Sequence, residues 1–229
     1  MKTLHITHQP IQLSSPGARF IVAVIIISLI CLVVLSPNLQ LAILTLIAVL
    51  VLLGFAQWLV LKSTVSFTLT ASHFQQHLFK GGWVVKWNNI HKIGICHYDN
   101  QGWQQPLPWI GIKLKNYSPY LDSICPRIAT DILLNQRALL YVGMKQSLVN
   151  AHFEDIVLDS QPYRNEQGNE YRGLQAMLAN RMNYQRSYFD YDIFISAQDL
   201  DRTAEEFIGL ARRYIASAES ETENTPTPS

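Results

Sequence analysis

FIVAVIIISLICLVVL, residues Phe20 to Leu35, and LQLAILTLIAVLVLLGFAQWLVL, residues Leu39 to Leu61, are followed almost at once by TVSFTLT, Thr64 to Thr70. The change from continuous to alternating hydrophobicity decides the architecture. The first run carries no charge and, at about 1.5 Å per residue, covers roughly 24 Å of a hydrocarbon core about 30 Å thick; Ala18 and a snorkelling Arg19 make up the difference. The second run has only Gln40 and Gln57 as strongly polar members, both near its ends, and spans easily. Ser36-Pro37-Asn38 between them is a turn, because proline cannot continue the first helix. Residues 18–62 are therefore expected to form a transmembrane hairpin with helices over 20–35 and 39–61, and Arg19, Trp58 and Lys62 as interface anchors.

Orientation follows from the basic residues. Lys2 and Arg19 precede the hairpin, Lys62 follows it, and the connecting turn has no Lys or Arg. The positive-inside rule then places both termini on the cytoplasmic side, with the chain crossing the membrane more than once. A cleaved signal peptide does not fit, since the second apolar block follows the first with no small-residue cleavage site. A buried hairpin in a soluble core fits no better, because helices apolar all round at this length belong to membranes.

Charged residues make up 15% of the chain, well under the usual quarter, and the apolar excess is concentrated in the two runs. The net charge is +1 but unevenly spread. Lys62 to Lys145 holds nine Lys/Arg against three Asp/Glu, and Gln146 to Ser229 holds seven against fourteen. A basic half next to the anchor suits an anionic leaflet. Cys31, Cys96 and Cys125 are an odd number without framework spacing, so no disulfides are expected.

Behind the hairpin, 64–216 reads as a single mixed α+β domain. VSFTLT and HFQQHLF form a hairpin, and WVVKW turns Trp83, Val85 and Trp87 to one face. IHKIGICHY follows, and WIGIKLK puts Ile110, Ile112 and Leu114 inward with Lys113 and Lys115 outward. Five short strands at these spacings suggest a curled antiparallel sheet or small barrel. Ser118-Pro119 and Cys125-Pro126 open two short helices, the second with Ile128, Ile132 and Leu133 on one face. ALLYVG from Ala138 reads as a strand, 159–170 as a polar loop, and Arg172 to Tyr184 as a helix with Leu174, Met177 and Leu178 as its stripe. YFDYDIFIS alternates, burying Phe189, Tyr191, Ile193 and Ile195 and exposing Asp190 and Asp192. SAQD, Ser196 to Asp199, resembles a capping box before an amphipathic helix with Leu200, Ala204, Phe207, Ala211 and Tyr214 inside. Glu205-Glu206 near its start and Arg212-Arg213 at its end suit the macrodipole. Residues 1–17 read as an N-terminal cytoplasmic segment and 217–229 as a disordered tail.

SFTLT, HFQQHLFKGG and WVVKWNNIHKIGI resemble the opening of the bacterial pleckstrin-homology-like domains of small membrane proteins, and the late helix fits that fold, whose barrel is closed by a C-terminal helix. PLPWIGIKLKNY, SICPRIATDILLNQR and FDYDIFISAQDLDRTAEEFIGLARRY are similar to a bacterial family of membrane proteins of unknown function. The resemblance implies an N-terminal two-helix anchor and a pleckstrin-homology-like domain with inserted helices, since Tyr117 to Ser187 lengthens the plain topology. Phosphoinositide-binding members of the wider fold use Lys and Arg around the first hairpin turn. Thr70-Ala71-Ser72-His73 has neither, and that ligand is not carried over.

Several side-chain sets bear on possible chemistry. His73, His77, Cys96 and His97 are the nearest approach to a metal set, but Cys96 and His97 point to opposite faces of a strand. No local signature surrounds Cys125 as a nucleophile toward His97 or His152. No phosphate-binding, dinucleotide or nucleophile-elbow motif is present, and neither a cofactor nor an enzymatic activity is expected. With a charge near zero and no recognition helix, nucleic acid is not expected either. The sharper candidate is an aromatic and basic surface of Lys80, Lys86, Lys92, Trp103, Trp109, Lys113 and Lys115, facing the lipid bilayer or a protein or peptide partner. The sequence thus points to a membrane-anchored binding or scaffold module of unknown ligand. The alternative is an enzyme or transport accessory with its site in the cleft between sheet and inserted helices.

Overall fold

The computed structural model describes residues 3–8, 20, 24–25, 27–28, 38–79, 81–100, 102–147 and 152–223. The chain divides into two compact units, one running from His8 to Val65 and the other combining the N-terminal strand with everything from Ser66 on.

In the first unit, helix α1 spans Leu39–Ser63. Its stretch Ile43–Val60 is long and apolar enough to cross a membrane, and none of that stretch is buried. Leu44, Leu50, Val51 and Leu52 all expose most of their surface, and Phe55 stacks on Trp58 with ring centroids 5.8 Å apart. Apolar side chains all round a helix of this length suit lipid. Of the other apolar run only Phe20, Val24, Ile25, Ile27 and Ser28 are described, each of them helical. The expected hairpin therefore rests on one described helix. Arg19, Cys31, the Ser36-Pro37 turn and the Lys62 side chain lie outside the described residues.

The second unit is mixed α+β with antiparallel sheets. Strands β1 (Leu4–His8), β2 (Val65–Leu69), β3 (His73–Leu78) and β4 (Gly81–Lys86) form a four-stranded sheet in the order β1-β2-β3-β4. Strands β5 (Ile90–Asn100), β6 (Trp103–Leu114) and β9 (Ile193–Ser196) form a three-stranded one, and β7 (Tyr163–Arg164) pairs with β8 (Glu170–Tyr171). The helices are α2 (Ser118–Ser123), α3 (Pro126–Asn135), α4 (Arg137–Gln146), α5 (Phe153–Val157), α6 (Leu174–Phe189) and α7 (Ala204–Glu223).

The first sheet does what its alternation dictates. Phe67, Leu69, Phe74, Trp83, Val85 and Trp87 are all buried on one face. The face is an aromatic stack: Phe74 meets Phe67 at 5.8 Å, Trp83 at 5.5 Å and Trp87 at 5.6 Å. Helix α7 closes it, with Phe207 5.8 Å from Phe74 and Tyr214 5.4 Å from Trp87. Offset and edge contacts of this kind each add about 0.5–1.5 kcal/mol beyond the area buried. Trp87 Nε1 donates to the Thr70 carbonyl at 2.8 Å, so the stack also fixes the β2–β3 turn.

Strand β1 adds regular structure within residues 1–17, which the sequence offers only as an N-terminal segment. Ile6 is fully buried and His5 Nδ1 lies 3.0 Å from Thr68 Oγ1 of β2. Its five residues, LHITH, alternate, but so short a run ahead of a long apolar block is easily passed over. ALLYVG is not a strand but part of α4: Leu139, Leu140 and Gly143 are buried at helical spacing, and a short unbroken apolar run does not separate the two periods. Helix α6 starts as expected yet buries Ala176, Leu178, Ala179, Arg181, Met182 and Gln185, whereas Leu174 is exposed. Its inward stripe includes Arg181, Gln185 and two small alanines, which hides the face from a hydrophobic count.

At the end of α6 the expected strand from Tyr188 breaks. Phe189 closes the helix, and Asp190 takes a left-handed conformation, φ 62°, with its N–H on the Arg186 carbonyl. Aspartate tolerates that cap better than most residues. The turn resets the alternation, so β9 holds only four residues and Asp192, expected outside, is 2% exposed. Ser196 does cap, but over the short 3-10 turn Ala197–Asp199. Helix α7 begins at Ala204 and runs to Glu223, past the boundary expected at 217, which leaves Arg212-Arg213 in mid-helix.

Candidate functional site

The register of β5 and β6 pairs Lys92 with Lys113 and Gly94 with Gly111. Gly94 and Gly111 clear a floor on the outer face of the second sheet. A Cβ on Gly111 would sit 2.2 Å from the Tyr191 ring, and one on Gly94 2.4 Å from its hydroxyl. The Tyr191 ring thus lies flat on backbone, which only glycine permits. Beside it the left-handed Asp190 accepts from both Lys92 and Lys113 at 2.5 Å, and the Lys92 ammonium stands 4.6 Å above the Tyr191 ring. The bonds from Lys113 and Lys92 hold the Asp190 carboxyl below the usual carboxylate range.

Asp192, two residues on, is the buried counterpart. It accepts from Arg186 Nε at 2.6 Å and Nη2 at 2.5 Å, from Tyr117 Oη at 2.8 Å and from the Leu114 N–H at 2.6 Å. Arg186 Nη2 also donates to the Leu114 carbonyl, and its guanidinium lies 4.8 Å from the Tyr117 ring centroid. Burial, followed by the charge and hydrogen bond of Asp192, pushes the Tyr117 hydroxyl far up; the hydrogen bond to Asp192 raises Arg186. Every polar partner here is internal. The arrangement is a lock between the end of β6, α6 and β9.

Of the candidate surface, Lys80 lies outside the described residues. Lys86 ends β4 exposed, Lys92 and Lys113 are engaged by Asp190, and Lys115 faces Glu219 at 3.9 Å. The lysines are divided between two sheets, and three of them meet acids of the distal half. Trp103 is 82% exposed at the β5–β6 turn. Trp109 is half-buried against the cluster of Cys96, Leu139, Phe189 and Phe194, because the lysine face of β6 is partly roofed by α4 and the end of α6. Trp58 is 46% exposed on α1.

The weighed chemical sets are dispersed. His77 Nε2 lies 3.0 Å from Thr68 Oγ1, and His73 Nδ1 lies 3.0 Å from Ser72 Oγ. Cys96 sits in the apolar cluster, where burial raises its thiol to about 12, out of nucleophile range. Cys125 is the exposed N-cap of α3. Among the described residues no three His, Cys, Asp or Glu come together as a metal set.

Open clefts border these elements. One of ≈ 320 Å³ lies between β5 and the ends of α4 and α6, where Lys92, His97, Asp99, Ser187 and Asp190 are among its walls. A groove of ≈ 450 Å³ runs along β3 and β4 past His77, Trp83, Val84 and Ser123. A larger cleft of ≈ 770 Å³ is walled by Glu154, Asp155, Asp159, Tyr184 and Tyr188. None of these walls is marked by a motif in the sequence. The Asp192–Arg186–Tyr117 lock went unseen because its members are separated in sequence and none belongs to a motif.

No curated protein and no solved structure matches this chain. One family profile does, described as a protein of unknown function (DUF2982), and it covers residues 67–217, from within β2 into α7. That is more than half of the chain, and the protein belongs to the DUF2982 family.

Proposed function

We propose that this protein is a hairpin-anchored binding module at the cytoplasmic face of a bacterial inner membrane, with a pleckstrin-homology-like domain interrupted twice. The observation that carries this reading is the sheet order β1-β2-β3-β4. The chain leaves the sheet at the end of β1 and re-enters it at the neighbouring β2, with the apolar stretch in between. If that stretch crosses a bilayer, it must do so an even number of times, since the two strands are hydrogen-bonded neighbours. One crossing by α1 then requires a second, and Phe20 to Leu35 is the stretch long enough to supply it. The four-plus-three division of strands and the closing helix α7 support the pleckstrin-homology-like comparison. On that comparison β1 is the first strand, the hairpin is inserted after it, and residues 117–192 are inserted before the last strand.

Binding rather than catalysis is favoured because the most closely partnered titratable groups serve structure: Asp190 holds two lysines, Asp192 holds Arg186 and Tyr117, and Cys96 packs in the core. Of the two outer strands of that sheet, β1 and β4, the β4 side carries the groove that an added peptide strand could enter. A membrane-impermeant thiol reagent applied to intact cells tests the topology, with single cysteines at Asn38, His5 and Ser229 in a Cys31/Cys96/Cys125-free chain. Labelling at 38 alone is expected. Labelling at 5 or 229 would overturn the orientation, and protection at all three the hairpin.

A further inference from the structure

Arg181 lies on the inward face of α6 with its side chain 2% exposed. Its one hydrogen bond runs from Nη2 to the Val157 carbonyl at the end of α5, at 3.3 Å, whereas Nε and Nη1 are buried and meet no acceptor. Among the described residues no carboxylate pairs with it. A guanidinium left this way is among the costliest groups an interior can hold, and an unfilled buried donor is the usual mark of an absent water, ion or ligand.

The charge that acts on Arg181 has the same sign. Arg137, the exposed first residue of α4, lowers it together with burial, to about 10, which leaves it charged at neutral pH; burial is the larger cause. Arg137 itself has no ion-pair partner among the described residues. The N-cap Gln136 gives no side-chain bond to the first turn of α4, because its amide group is committed to the Phe194 carbonyl and to Gln185. The Gln185–Gln136 bond sets α6 against the N-cap of α4 one turn from Arg181, so the positive end of a ten-residue helix lies near two guanidinium groups that, among the described residues, have no carboxylate partner.

We propose that Arg137, Arg181 and the first turn of α4 form a binding site for a phosphate-type oxyanion. Guanidinium groups match the geometry of tetrahedral oxyanions, and helix N-termini direct backbone N–H groups at them. The occupant reaches the site past the exposed Arg137 and supplies acceptors to Arg181. Free phosphate and a phospholipid headgroup carry the same chemistry. The inference goes beyond the anchoring reading and does not depend on which way the hairpin faces.

The test is thermal unfolding of the full chain in uncharged maltoside micelles, with inorganic phosphate titrated against chloride at matched ionic strength. A saturable rise in Tm is expected, reaching about 5–10 °C at a hundredfold excess over Kd. Arg181→Met removes the unbalanced charge, so its Tm without phosphate should be higher than the wild type's and should not respond to phosphate. Arg137→Ala, at the surface, should keep the wild-type starting Tm and need about tenfold more phosphate for the same rise. In a second arm phosphatidylglycerol is added to the micelles. A rise there that removes the phosphate response assigns the site to a headgroup; a phosphate response that persists assigns it to the free ion. Absence of any saturable response to either, or a full response in both variants, overturns the proposal.

Discussion

The two sheets of the second unit bury their side chains by different rules. In β1–β4 one face holds the aromatic stack under α7. In β5-β6-β9 the inner face holds Ile93, Ile110, Ile112 and Leu114, and the outer face is also in use: Cys96 and Phe194 are buried there, Trp109 is half-buried, and Tyr191 lies on two glycines. The difference comes from the segment between β6 and β9, whose helices supply a second layer. A strand covered on one side advertises its orientation by alternation. A strand covered on both sides must solve space and charge as well, with glycine pairs and a desolvated ion pair, and neither has a period of two.

The sharpest way to break this comparison is to attack the charge in the second sheet and the stack in the first. Asp192→Ala strands Arg186, the Tyr117 hydroxyl and the Leu114 N–H, and is expected to destabilise the domain by about 3–5 kcal/mol, the range for removing one partner of a buried pair. Phe74→Ala removes the centre of the stack for a similar loss of about 3–5 kcal/mol. Denaturant unfolding of the full chain distinguishes the two: adding Arg186→Met to Asp192→Ala should recover part of the loss, whereas no second truncation should rescue Phe74→Ala. Failure of the double variant to recover any stability would mean that the lock is ordinary packing.

A smaller effect sharpens the outer-face claim. Gly111→Ala places a methyl in the Tyr191 ring and should cost about 1–3 kcal/mol, as overpacking does. Combining it with Tyr191→Ala should remove most of that cost, since nothing then occupies the floor. A double variant no better than Gly111→Ala would show that backbone conformation, not the ring, requires the glycine.

The smallest effect is the pH dependence of Asp190. Its folded-state pKa is lowered, so its contribution is present above the unfolded value and is lost as pH falls through the folded one, at the acid end of the carboxylate range. Lys92 and Lys113 are partly exposed, and the contribution is under about 1 kcal/mol. Lys92→Ala with Lys113→Ala should flatten the stability curve below about pH 4, where a carboxylate normally titrates, and lower stability slightly at neutral pH. An unchanged acid limb would show that the pair of lysines does not act on Asp190.

Much of the first sheet was legible in consecutive residues. Trp83, Val85 and Trp87 fell on the face where the alternation put them, as did Ile110, Ile112 and Leu114 in β6. Errors gathered where a local pattern has two readings. ALLYVG suits a strand or a helix, and Asp190-Tyr191-Asp192 alternates only until a left-handed residue resets the face. The exposure of Trp103 was legible from its polar turn, whereas the engagement of Lys92 and Lys113 was not, because their partner Asp190 lies 77 residues or more away in the chain.

By itself the sequence determined what depends on neighbours along the chain: a long apolar helix at Leu39–Ser63, one-sided strands behind it, and an amphipathic last helix. Hydrophobic period and turn chemistry are local, so they are written in order. Only the tertiary structure decided that β1 belongs to the sheet on the far side of the apolar stretch. It also decided that Asp192 is buried while Asp190 is not, and that Arg181 is enclosed without a counter-charge. Each is set by the desolvation and pairing of groups far apart in sequence, and folding alone brings them together.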